Sequence, residues 1–125
     1  MITEERLRNM SKTGKYAYFI DRLGKYKPDR LVRDFLYIFG FIQGWRSVFY
    51  HLPGNRLCIK VYDYGMSLHD GNDPMADNFM IWFDSKSKFA IKAFFKAVCD
   101  DVVDYRKIVM RIKAADVEKD LEVLE

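Results

Sequence analysis

Two aspartates and a lysine come nearest to a reaction centre in this chain: Asp63, at the end of one apolar alternation, and Asp84 with Lys86, at the end of another. Carboxylates on adjacent strand ends can share a Mg²⁺, and a lysine two residues further on can steady the water that the ion activates. The same residues have a second use. Asp84 or Ser85 stands where a strand gives way to a helix, and that helix needs an N-cap.

The stretch His69-Asp70-Gly71-Asn72-Asp73-Pro74-Met75-Ala76-Asp77 collects oxygen and nitrogen ligands. It begins like an EF-hand loop but lacks that loop's glycine at position six and its glutamate at twelve, so Asn, Asp, Gly and Pro read here as turn formers. No metal site and no cofactor are expected. No Ser, Cys or Lys has a base or orienting group visible at sequence level, so nucleophilic catalysis finds no support.

A different chemistry is written into the front of the chain. Lys12, Lys15, Arg22, Lys25, Lys27, Arg30 and Arg33 flank a predicted helix-helix junction and are interleaved with Tyr16, Tyr18 and Tyr26. Cations beside partly exposed tyrosines suit an acidic protein surface, and also suit phosphates with stacking bases. The charge is lopsided: residues 1–60 carry 12 Lys/Arg against 5 Asp/Glu, and residues 61–125 carry 9 against 13, which makes the halves +7 and −4. Such an asymmetry serves a partner, or two halves that attract each other.

The elements that must position these groups follow from periodicity. Thr3 caps a first helix, with Leu7, Met10, Ala17, Ile20 and Leu23 at helical spacing, Gly14 as a weak point and Gly24 as its stop. Asp29 caps a second helix, with Leu31, Phe35, Ile38, Phe39 and Ile42 inward and Gly44 at its end. From Trp45 the period becomes two, and Pro53-Gly54-Asn55 turns the chain into a second run, Leu57 to Tyr62, the pattern of a β-hairpin. A loop over Gly65 to Asn78 leads to a third strand at Phe79–Phe83. A long helix then starts at Ser85 or Ser87 and runs to about Ala114. Its stripe, Ile91, Phe95, Val98, Val102, Tyr105, Val109 and Ile112, keeps alternating spacings of four and three.

The expected fold is therefore a single α+β domain over 1–125: two N-terminal helices, a three-stranded antiparallel β-meander and a long C-terminal amphipathic helix, in the order α-α-β-β-β-α. Phe35, Phe39, Ile59, Ile81, Phe95 and Val98 should form its core. The last four stripe residues, Val102, Tyr105, Val109 and Ile112, are candidates for homodimer contacts, because a helix of about 27 residues would be about 40 Å long. Tyr62 and Tyr64 fall off the apolar positions and should be partly exposed. Cys58 and Cys99, without metal-ligand spacing, read as buried thiols of a cytoplasmic protein. No apolar run reaches membrane-span length.

The α-β-β-β-α order together with Asp63 and the Asp84-Ser85-Lys86 triplet resembles the core of PD-(D/E)xK nucleases, although Asp63 follows Tyr62 and not a proline. That resemblance implies a Mg²⁺-dependent nuclease using Asp63, Asp84 and Lys86. The reading preferred on the residues is a small non-enzymatic interaction protein: a regulator, inhibitor or immunity type, such as phages encode. It would bind a protein partner through the basic, tyrosine-bearing surface. A nucleic-acid-binding accessory role is the third reading.

Overall fold

Each turn of the chain has a local cause. A computed structural model describes residues 2–44, 48–71, 78–84 and 86–124, with the backbone alone for 119–124. Trp45, Arg46, Ser47, Ser85 and the stretch 72–77 lie outside the described residues. So do the start expected for the first strand, one of the two expected helix caps and most of the ligand-rich loop.

The N-terminal helical pattern divides. Thr3 caps α1 (Glu4–Asn9) by accepting the Arg6 N–H at 3.1 Å. Ser11 then caps α2 (Lys12–Arg22) by accepting the Gly14 N–H at 3.0 Å. The break falls at the second capping hydroxyl, three residues before the glycine expected to be the weak point. α3 (Pro28–Ile38) starts before the expected cap Asp29, which lies inside its first turn, and begins with proline, whose missing N–H leaves nothing unpaired there. It stops at Gly40, whose φ of +85° lets Phe41 donate back to the Leu36 carbonyl at 2.9 Å. Ile42, expected inside this helix, is instead in a strand.

The sheet has five strands: β1 (Ile42–Gln43), β2 (Phe49–His51), β3 (Leu57–Tyr62), β4 (Gly65–Asp70) and β5 (Asn78–Trp82). They form an antiparallel meander in sequence order. Two strands were thus missing from the expected three: β1, read as helix, and β4, read as the first part of a loop. Pairing sets Tyr50, Ile59 and Leu68 side by side, with Val61, Met66 and Ile81 in the next row. All six are buried. The other face is more open, with Ile42, His51, Asn78 and Trp82 exposed.

The long C-terminal helix is two helices, α4 (Lys88–Cys99) and α5 (Tyr105–Leu124). Val102 donates back to the Ala97 carbonyl at 2.8 Å and Asp101 to Val98 at 3.0 Å, the bonding of a helix C-cap that needs a left-handed residue. Asp101 supplies it, with φ of 61°. The break removes the argument for dimerisation through one continuous 40 Å helix. Ile108, Val109 and Ile112 are buried within the chain itself, and Val102 and Tyr105 pack against its core.

That core centres on phenylalanines from three helices. The Phe35 and Phe95 rings stack at 4.0 Å, with Phe19 edge-on to Phe35 at 5.2 Å. Of the six residues expected there, Phe35, Ile59, Ile81, Phe95 and Val98 are buried and Phe39 is half-buried against them. Three N-terminal helices, a five-stranded sheet and a C-terminal helical hairpin replace the expected order.

Candidate partner-binding surface

The α2–α3 corner gathers most of the predicted basic residues. Gly24, with φ of +90°, lets Lys25 and Tyr26 both donate to the Arg22 carbonyl, at 3.0 and 3.2 Å. This tight corner presents Lys25, Tyr26 and Lys27 in succession, and Arg30 follows one turn into α3. Tyr26 is 58% exposed, and Lys25, Lys27 and Arg30 are exposed too. Arg22 lies over the Tyr18 ring at 3.5 Å and donates to the Tyr18 carbonyl at 3.0 Å. Its planar cation is thereby held in place on an aromatic face. Asp21 tempers the charge, pairing with Lys25 at 3.4 Å.

Two of the predicted surface residues do different work. Arg33 is half-buried and donates to the Val61 carbonyl at 2.8 Å and to the Tyr50 hydroxyl at 3.2 Å. It fastens α3 to β3. Tyr16 sits half-buried beneath the Lys96 ammonium, 5.4 Å from its ring, and burial pushes its phenol up. It lies beside α4, away from the corner.

The structure adds a cation that periodicity could not place there. Lys88, at the start of α4, reaches the corner so closely that a side-chain carbon on Gly24 would sit 3.0 Å from its Nζ. No sequence spacing connects residues 24 and 88.

A second aromatic group stands near the same end of the molecule. Tyr62, Tyr64 and Trp82 form a ladder on the open side of the sheet, with ring centroids 5.3 and 5.8 Å apart and the first pair within 6° of parallel. Tyr64 and Trp82 are both 57% exposed. Tyr62 and Tyr64 were expected to be partly exposed, but Trp82 was read only as an alternating strand residue. The two neighbourhoods are linked indirectly: Arg33, one turn beyond Arg30, binds the Val61 carbonyl next to Tyr62, and Lys88, six residues after Trp82 in sequence, stands beside Gly24.

The acidic pair is brought close along the backbone. Asp63 lies in the β3–β4 turn and Asp84 just past β5, where Phe83 donates to the Tyr64 carbonyl at 2.9 Å. The Asp84 carboxylate accepts the Lys86 N–H at 2.8 Å, while Ser87 Oγ donates to the Asp84 carbonyl at 2.7 Å. Asp84 thus shapes the turn into α4 but does not cap that helix, whose N-cap is Ser87. Among the described residues, no three His, Cys, Asp or Glu side chains gather where one cation could reach them.

One polar pair went unseen in the sequence. Ser67 Oγ and His69 Nε2 share a hydrogen bond of 2.7 Å. Residues two apart on a strand face the same way, so the signal was available only once β4 was known to be a strand. Burial first, and the Lys60 charge second, hold the His69 imidazole below its usual pKa. Ser67 itself is 7% exposed, so a base is present while the hydroxyl beside it is shut away from substrate. The neighbouring carboxylate, Asp70, turns to Arg56 at 3.2 Å.

Compared with protein-family models, curated proteins and solved structures, the chain has no match in any of the three. Among the described residues no helix is long and apolar enough to cross a membrane.

Proposed function

We propose that this chain is a non-enzymatic interaction protein that binds an acidic protein surface through the α2–α3 corner and the adjoining aromatic ladder. The observation that carries the reading is the ladder itself: Tyr64 and Trp82, large and more than half exposed, held in fixed stacking. Rigid, amphipathic rings lose little entropy when a partner covers them, and Tyr, Trp and Arg are the residue types that dominate protein interfaces.

The ladder geometry favours protein over nucleic acid. Tyr64 has a stacked ring on each side, so the ladder offers a base only the outer faces of its two end rings, whereas a single strand needs a run of open ring faces. Asp21, Asp63 and Asp84 also interrupt the positive field that a phosphate chain would follow.

The test is affinity capture from the source cell with tagged wild type, Trp82→Ala and the double variant Lys27→Glu/Arg30→Glu. A partner retained by wild type and lost from both variants, each with an unchanged far-UV spectrum, is the expected result. Single-stranded oligonucleotides that bind wild type with a steep log-salt dependence would overturn the protein reading in favour of nucleic acid. Mg²⁺-dependent cleavage of DNA that disappears in Asp63→Ala would overturn it in favour of the nuclease.

A further inference from the structure

The outer strand β5 is an edge that lacks the usual safeguards. It pairs with β4 on one side, and among the described residues no strand pairs with the other. Native sheets blunt such edges with charge, proline, bulges or brevity. β1, the opposite edge, is cut to two residues. β5 is Asn-Phe-Met-Ile-Trp, five residues in unbroken register, without a charge or a proline.

The register shows which backbone groups are on offer. Phe83 donates to the Tyr64 carbonyl, and hydrogen-bonded pairs recur at every second residue of an antiparallel ladder. The bonds to β4 therefore belong to Ile81 and Phe79, opposite Met66 and Leu68. The amides of Asn78, Met80 and Trp82 point outward. The Trp82 carbonyl already accepts the Asp84 N–H at 3.1 Å and keeps a second lone pair.

We infer that β5 pairs antiparallel with β5 of a second copy, about a two-fold axis through Met80, joining two sheets into one of ten strands. The strand is complementary to itself in that register. Met80 meets its own counterpart and Asn78 meets Trp82, so each outward N–H faces an outward carbonyl. On the helix-bearing face Phe79 falls opposite Ile81, apolar against apolar. Both line a groove of about 350 Å³ that Ala90 and Ile112 share with the charged Asp84, Lys86 and Asp116. On the open face Trp82 falls beside the counterpart of Asn78. At the axis no charge meets its like, which is the condition an isologous contact must satisfy. A shift of two residues would leave outward amides unmatched.

The experiment is sedimentation velocity on the full chain from about 5 to about 200 µM, a range over which mass action separates a reversible dimer from a monomer. Wild type should shift toward dimer with concentration. Met80→Lys roots two like-charged side chains on Cα atoms about 5.5 Å apart at the axis and should be monomeric throughout. Its side chain lies on the open face, where the aliphatic stem keeps the packing. Met80→Glu should likewise be monomeric, and an equimolar mixture of the two should sediment as a heterodimer. Asn78→Pro removes an outward N–H without touching the β4 ladder and should weaken the dimer on its own, so the inference does not depend on one variant folding. Wild type that stays monomeric at the highest concentration overturns it and leaves the edge to a strand from another protein. A Met80→Lys protein that dimerises as wild type does overturns it equally.

Discussion

The Lys12 ammonium pairs with the Asp101 carboxylate across 89 residues of chain, fastening the first turn of α2 to the break between α4 and α5. Asp101 is the non-glycine residue that takes the left-handed conformation there. A side chain in that conformation is strained, least so for Asp and Asn. Here the strained residue also spends its charge on a distant helix.

Substitution at this position should separate strain from charge. Asp101→Val, β-branched and unable to pair, should lower stability by about 1–2 kcal/mol. Asp101→Gly loses the exposed ion pair but relieves the strain, and should leave stability within about 0.5 kcal/mol of wild type or raise it. Urea denaturation measures both. A valine variant as stable as wild type would mean that the helix break is not held by this residue.

Phe95 stacks on Phe35 at 4.0 Å and both are fully buried. Phe95→Ala should therefore destabilise the fold by about 3–5 kcal/mol, the transfer free energy of the ring plus the cavity it leaves. A loss below about 1 kcal/mol would show that the neighbouring rings collapse into the space.

Cys99 should be inert while the chain is folded. Burial first, and the Asp100 charge second, push its thiol up to about 11, and burial raises Cys58 as well. At pH 8 a disulfide reagent should find no fast-reacting thiol in the native protein and two after denaturation, since both cysteines are free. Rapid native labelling of Cys99 would show local opening of α4.

The half-buried His69 makes stability depend on pH in a defined direction. Its folded pKa lies below its ordinary value of 6.5, so below neutrality the unfolded chain binds more protons than the folded one. Stability should fall as pH drops through the unfolded value and level off once the pH is below the folded value. In His69→Gln the urea midpoint should fall less over the same interval. Equal pH dependence in both proteins would assign the loss to the carboxylates.

Much of the core was legible in the sequence because local periodicity reports which side of an element is dry. Phe35, Ile59, Ile81, Phe95 and Val98 fall on the repeating apolar positions of a helical or alternating pattern, which puts them on one side of their element. The Thr3 cap and the stop at Gly24 were legible for a similar reason: each depends on groups within three residues of itself.

The missing strands and the helix break depended on distant partners. In the sequence β4 shows only Met66 and Leu68 as apolar alternation, between a glycine and a run of turn formers. It is a strand because β3 and β5 supply hydrogen bonds on both sides. Across Val98, Val102 and Tyr105 the spacing of four and three continues through a chain reversal, because Asp101, a residue with no glycine's signature, takes the left-handed seat. Lys88 beside Gly24, and Trp82 beside Tyr64, are likewise neighbours only in space. Which face of each element is buried was therefore set by the sequence within a few residues. Which elements meet, and so which cations and rings share a surface, was decided by hydrogen bonds and packing between segments far apart in the chain.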